Sequence, residues 1–257
     1  MPFLATAVVA LFFQVSMVDL TRSSSVVFSG TVAKPHAALP SVPQGQNTAV
    51  VRVDDVLVQP ATLNDLKSQL VTVRFRSGTS VASGQKALFF TTVYSVGKDV
   101  GLDSVGVVND MPAEQGRAEL AKARDVILDQ DIAARLNRAS AVVVGTVREV
   151  KSMATEQRIS EHDPEWAVAT VAVESVVKGN TAGGSVTLWF AGSGDPFYAR
   201  WPKLKPGQRA IFIVQHEDPR LTFAQTRSVR KSEGPYVIDA ADVQPLSNLD
   251  RVKRLAR

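Results

Sequence analysis

One run of residues is written twice in this chain of 257 residues, and no other feature constrains its fold as strongly. "SGQKALFFTT" (83–92) returns as "PGQRAIFIVQ" (206–215). Three further blocks repeat in the same order. "SVVFSGTV" (25–32) returns as "SAVVVGTV" (140–147), with Gly30 facing Gly145. "AVVRVDDVLV" (49–58) returns as "VATVAVESVV" (168–177), with an acid at each midpoint, Asp54 and Glu174, and "VTVRF" (71–75) returns as "VTLWF" (186–190). The separation is 115 from Gly30 to Gly145, 120 from Asp54 to Glu174, 115 from Val71 to Val186 and 123 from Gly84 to Gly207. A spacing that drifts between blocks places the insertions in loops. Two copies of about 90 residues each are too long for solenoid repeats and too few for propeller blades, so the pattern is that of a tandem duplication.

Each copy reads as four or five strands. Val71, Val73 and Phe75 alternate with Thr72 and Arg74, and Val186, Leu188 and Phe190 alternate with Thr187 and Trp189. That is the period of a half-buried strand. Gly30 and Gly145 interrupt apolar runs, where glycine permits a bulge or a sharp coil that lets one strand serve two edges of a small barrel. Gly84 and Gly207 follow Ser83 and Pro206, a turn signal. Short strands with turns between them suit a small closed or sandwich-like β fold.

The segments outside the repeat are helical. "PAEQGRAELAKARDVILDQDIAARLNRA" (112–139) opens with proline and is rich in helix formers, which predicts one helix near 113–124 and a short one near 131–138. "SMVDLTRSS" holds the same place before the first copy and ends in "LTR" where the other ends in "LNR". In the closing "SNLDRVKRLAR", Ser247 or Asn248 is the expected cap of a helix carrying Leu249, Val252 and Leu255 on one stripe. At the start, Phe3 to Phe13 is an apolar run with no Lys or Arg before it and no clean small-x-small cleavage site after it. It reads either as the apolar region of a signal peptide, which places the protein outside the cytoplasm (periplasmic or secreted), or as a packed helix of a cytoplasmic protein. A membrane span needs roughly 20 residues, and Gln14, Ser16 and Asp19 close the run before that.

A first strand "VVVGTV", a long loop, "VAVESVVKG", a third strand, a proline-bearing loop and then "GQRAIFIV" resembles an OB-fold barrel, and within that fold the netrin-like group that includes tissue inhibitors of metalloproteinases. The likeness covers 140–215 and, more loosely, 25–96. It implies an all-β fold with minor helix: two tandem OB-like small β-barrels joined by a helical linker. The boundaries expected are 1–19 for the apolar segment, 20–111 for the first barrel, 112–139 for the linker, 140–246 for the second barrel and 247–257 for the final helix. Metalloproteinase inhibitors reach their target zinc with an N-terminal cysteine. This chain has no cysteine, so that route does not carry over, and disulfides and thiol chemistry are excluded.

Catalytic and metal signatures are absent from the sequence. His36, His162 and His216 show no two-histidine metal spacing, and "EHDPE" (161–165) reads as a solvated loop. Ser193 in "AGSGDP" lacks the nucleophile-elbow spacing, and no phosphate-loop pattern occurs. Asp54 and Glu174 belong to separate copies and are expected to share a structural job off the barrel wall. No catalytic residue, metal ligand or cofactor is expected.

One segment has a binding character. In "DPFYARWPKLKPGQR", Phe197, Tyr198 and Trp201 stand among Arg200, Lys203 and Lys205. From Phe197 to Lys231 there are eight Lys and Arg against Glu217 and Asp218, an excess of six where the whole chain carries +4. Interleaved aromatics and cations stack rings and hold anions. Trp189, Tyr198, Arg200, Trp201, Lys203 and Lys205 are therefore the candidate contact residues of a non-enzymatic binding module, with a protein, glycan or anionic polymer as partner and single-stranded nucleic acid as the alternative. A metal-dependent hydrolase is a third, weaker reading. Against all of these stands a purely structural role, with Trp201 and Pro202 plugging one end of a barrel.

Overall fold

The computed structural model describes residues 16–153, 164–181, 183–215 and 234–257. The chain divides into two compact units, Met1–Ile127 and Leu128–Arg257. The first holds α1 (Met17–Ser23) and strands β1 (Val26–Pro35), β2 (Thr48–Val58), β3 (Leu70–Arg74), β4 (Lys86–Val96) and β5 (Val100–Asn109). Helix α2 (Ala113–Leu136) follows and contains the division between the units. The second holds β6 (Ala141–Ser152), β7 (Trp166–Gly179), β8 (Ser185–Ala191), β9 (Arg209–Val214), β10 (Val243–Gln244) and α3 (Leu249–Leu255). The chain is mostly strand, with two five-stranded sheets. Among the described residues no helix is long and apolar enough to cross a membrane.

In the first unit the strands form a closed barrel in the order β1-β2-β3-β5-β4. β1 pairs antiparallel with both β2 and β4. Its pairing with β2 slips at Val27/Phe28, Ser29/Gly30 and Val32/Lys34. In the second unit the pairing of β6 with β7 slips at Val142/Val143, Val144/Gly145 and Val147/Glu149, the same three places. A bulge at each place coils the strand. Glycine is required at the middle one. A Cβ on Gly30 meets the Arg52 carbonyl oxygen at 2.7 Å and Val51 Cγ1 at 2.9 Å, and one on Gly145 meets the Ala172 oxygen at 2.5 Å and Val171 Cγ1 at 2.7 Å.

The repeated "GQ" has the same physical cause in both copies. Gly84 and Gly207 turn through φ of 77° and 80°, a left-handed conformation that favours glycine. The Gln85 side-chain oxygen accepts the Ala82 N–H at 2.8 Å, and that of Gln208 accepts the Lys205 N–H at 3.1 Å. The turn then feeds β4 or β9 into matching register, with Gly30 opposite Ala87 and Gly145 opposite Ala210.

Packing repeats as well. Val26, Phe28, Val32, Val51, Val73, Phe75 and Phe89 fill the first interior, and Ala141, Val143, Val147, Val171, Leu188, Phe190 and Phe212 fill the second. On the outer face Leu20 of α1 packs with Val27, Leu88 and Phe90, and Leu136 of α2 packs with Val142, Ile211 and Ile213. The "LTR" and "LNR" segments therefore do one job: each brings a leucine onto the back of the first strand. Asp54 and Glu174 also correspond, each accepting a hydrogen bond at 2.7 Å from a β1 or β6 threonine, Thr31 or Thr146.

Three expectations need correction. The second block is displaced by one residue, because Asp54 matches Glu174 only when 49–58 is set against 169–178. Gly30 lies opposite Val53 and Gly145 opposite Val173. The linker is one helix of 24 residues rather than two, since nothing between 125 and 130 is glycine or proline and the expected gap has no breaker. Neither Ser247 nor Asn248 caps α3. A 3-10 turn, Leu246–Asn248, leads into it, and the Asn248 amide donates to Gln244 Oε1 at 2.8 Å.

The units differ most in the fifth strand. In the first, β5 runs parallel to β3, with Asp103 between Arg74 and Thr92. In the second, single bridges hold Tyr236 between Trp189 and Gln215, which occupy the places of Arg74 and Thr92 in the repeat. Pairing resumes with β9 only at Val243 and Gln244. Between these contacts lies a 3-10 turn, Ala240–Asp242, capped by Asp239. The second unit's fifth strand is thus broken, and the inserted turn carries Asp242 into the interior.

Candidate functional site

The loop from β8 to β9 (192–208) holds five of the six candidates, and Trp189 lies on β8 itself. The chain turns at Asp195, whose carboxylate accepts the Phe197 N–H at 2.8 Å and starts the 3-10 turn Pro196–Tyr198. Tyr198 is buried, and Trp201 is half-buried against it, their ring centroids 4.9 Å apart. Trp201 also packs on Trp166 at 6.2 Å, and Trp166 packs on Trp189 at 6.5 Å and on Tyr236 at 5.6 Å. Trp189 and Tyr198 are therefore parts of an aromatic core in the second unit, whose strands form a five-stranded sheet in the order β10-β9-β6-β7-β8 rather than the closed barrel expected, and Trp201 joins it. Burial of such rings contributes through area and through edge-to-face contact.

Lys203 does not face solvent as a free cation. Its ammonium donates to the carbonyl oxygens of Ala191 at 2.5 Å and Ser193 at 2.9 Å, tying the return of the loop to its start. Burial pushes its pKa below the ordinary lysine value. Arg200 and Lys205 remain exposed. The ring that sequence reasoning left out of the candidate set, Phe197, is 65% exposed and leans edge-on against Tyr198 at 5.1 Å. Its signal was available: it follows Asp195-Pro196, a turn that aims the next side chain outward.

Of the other cations counted in the sequence, Arg209 lies on β9 and donates to Glu174 at 2.9 and 2.7 Å, while Arg220, Arg227, Arg230 and Lys231 lie outside the described residues, as do His162, Asp163 and His216. His36 Nδ1 lies 2.9 Å from the Gln46 carbonyl oxygen. Among the described residues no three His, Asp or Glu converge in a way that would hold a metal. Ser193 is buried and its hydroxyl accepts the Asp195 N–H at 3.1 Å.

The first unit has nothing like this loop. Where the second is closed by Trp189 and Tyr236, the first leaves a cavity of about 350 Å³ lined by Arg74, Arg76, Thr92, Asp103 and Ser104. No sequence signal marked these residues, which come from three strands and meet only through the barrel's register. No protein-family model and no curated protein matches this chain.

Proposed function

We propose that the protein is a non-enzymatic binding module of two small barrels of the OB type, and that the second barrel grips a partner protein through the 192–208 loop. The observation that carries this is Phe197: a large apolar ring standing 65% exposed on a loop tied by the Asp195 cap and the partly buried Lys203 bonds. An isolated aromatic of this kind serves as an anchor for a pocket on a partner. The Asp195 cap and the Lys203 bonds fix the loop in advance, which lowers the ordering cost of binding. Exposed Arg200 and Lys205 on the same loop favour a pocket with an acidic rim. The first unit lacks the loop, which supports a division of labour between the copies.

A single-stranded nucleic acid needs a row of exposed ring faces. Along this loop Tyr198 is buried and Trp201 half-buried, so the protein partner is the better supported occupant. The test is a photo-reactive benzoylphenylalanine at position 197, compared with one at the exposed Leu70 of the first unit, in cells that make the protein natively. A discrete protein adduct at 197 that is absent at 70, and that disappears on changing Arg200 and Lys205 to Glu, is expected. No adduct at 197, or the same adducts at both positions, removes the proposal.

A further inference from the structure

The two copies act as each other's control at one end of the barrel. The positions Arg74, Thr92 and Asp103 of the first unit answer to Trp189, Gln215 and Tyr236 of the second, because each trio is joined by the same parallel and antiparallel pairings. In the second unit the place is filled by the chain's own rings. In the first it is an open cavity of about 350 Å³ whose polar wall of Arg74, Arg76, Thr92, Asp103 and Ser104 is completed by Phe75 and Val105. The pairing at this point is the same in both units, so the place itself corresponds, while both the side chains that line it and the strand that continues from it differ.

The polar walls are arranged in a specific way. Arg74 donates from Nε to Asp103 Oδ1 at 2.6 Å and from Nη2 to Oδ2 at 2.8 Å, and its guanidinium lies 4.3 Å from the Tyr94 ring centroid. Both contacts hold Arg74 still, and Asp103 neutralises it. The guanidinium of Arg76, two residues on, has no ion pair or hydrogen bond among the described residues, while its backbone carbonyl accepts the Thr79 N–H at 3.1 Å. The hydroxyls of Thr92 on β4 and Ser104 on β5, both half-buried, have no hydrogen bond among the described residues either. The cavity therefore offers one uncommitted guanidinium just after β3 and two hydroxyl donors from within β4 and β5, with a net charge of one positive unit.

We propose that this cavity binds the tetrahedral oxyanion of a small sulfate or phosphate ester, with the Arg76 guanidinium and the Thr92 and Ser104 hydroxyls donating to its oxygens. A carboxylate presents two oxygens in one plane and is matched by a single guanidinium fork. Donors placed on three separate segments around one cavity suit the three free oxygens of an ester anion. The volume lies within the range of small-molecule sites and leaves room for a body the size of one sugar ring. Neither Phe197 nor its loop enters this proposal, so the two readings stand or fall separately.

The experiment is an NMR titration of the isotope-labelled full chain at about 0.15 M salt, where non-specific ion attraction is screened. The probes are inorganic sulfate, inorganic phosphate, glucose 6-sulfate and glucose 6-phosphate. Saturable shifts at Arg76, Thr92 and Ser104, with an ester tighter than its inorganic ion, are expected, and the tighter ester names the source. Arg76→Ala weakens binding about tenfold and Thr92→Val by a few-fold, while Arg200→Ala leaves it unchanged. Arg76 is the residue to change because Arg74 is already committed to Asp103 and Tyr94. Shifts that never saturate, or that persist undiminished in Arg76→Ala, overturn the proposal.

Discussion

Changing Asp242 to Asn removes the anchor of the second unit's broken fifth strand. Asp242 is fully buried and accepts five hydrogen bonds: from Arg135 Nε at 2.5 Å and Nη2 at 2.8 Å, from Gln215 Nε2 at 3.1 Å, and from the N–H groups of Ile238 at 3.0 Å and Asp239 at 2.9 Å. Asparagine keeps the shape but turns an amide donor toward donors, and it leaves the guanidinium of Arg135, 3% exposed, without its carboxylate. Removing one partner of a buried pair costs about 3–5 kcal/mol. For a unit of this size that lowers the melting temperature by roughly 10–20 °C. Arg135→Met strands the carboxylate instead and costs a similar amount. In the double variant no buried charge is left unpaired, and what remains is two or three unmet N–H donors at about 1 kcal/mol each. The two changes are therefore strongly non-additive, with a coupling of at least about 3 kcal/mol. Calorimetry on the full chain reads this as a fall in the second unit's transition, with the first unit's transition unmoved. A single-variant loss below about 1 kcal/mol, or simple additivity, refutes the reasoning.

Two further outcomes follow from local geometry. Gly30→Ala and Gly145→Ala each press a methyl group against a backbone carbonyl, and each costs about 1–3 kcal/mol. Gly145→Ala costs more because its contact is 2.5 Å against 2.7 Å; urea unfolding measures both, and a neutral result at either position contradicts the shared bulge. Lys203 titrates below the ordinary lysine value of 10.5 because burial disfavours its charge. Across the interval between its folded value and 10.5 the unfolded chain binds more protons, so this group's effect is to raise stability as pH rises through that interval. Side-chain NMR that finds Lys203 titrating with the exposed lysines contradicts the account of the loop.

Much of the frame was legible because the same backbone demands the same residues twice. A bulge under a carbonyl requires glycine, the turn before β4 and β9 requires glycine then glutamine, and the barrel wall requires alternating apolar side chains. Alternation alone does not fix register, since a strand shifted by one still alternates among Val and Ala; this is why the second block slipped until Thr31–Asp54 and Thr146–Glu174 fixed it. The broken fifth strand left no periodic run, because one bridge at Tyr236 and two residues at Val243 and Gln244 are too short to make a pattern. Sequence order also hid the aromatic core. Trp166, Trp189, Trp201 and Tyr236 come from four separate segments, and only their meeting shows that Trp189 and Tyr198 are interior while Phe197 is the exposed ring. The cavity of Arg76, Thr92 and Ser104 was hidden for the same reason.

The claim beneath all of this is that two copies of one strand plan share one hydrogen-bond register. Cross-strand nuclear Overhauser contacts in the labelled full chain test it directly. Contacts linking Gly30 with Ala87 and Gly145 with Ala210, together with Arg74–Asp103 and Trp189–Tyr236, are predicted. A second unit whose Gly145 faces any residue other than Ala210 on β9, or whose Trp189 shows no contact with Tyr236, contradicts it.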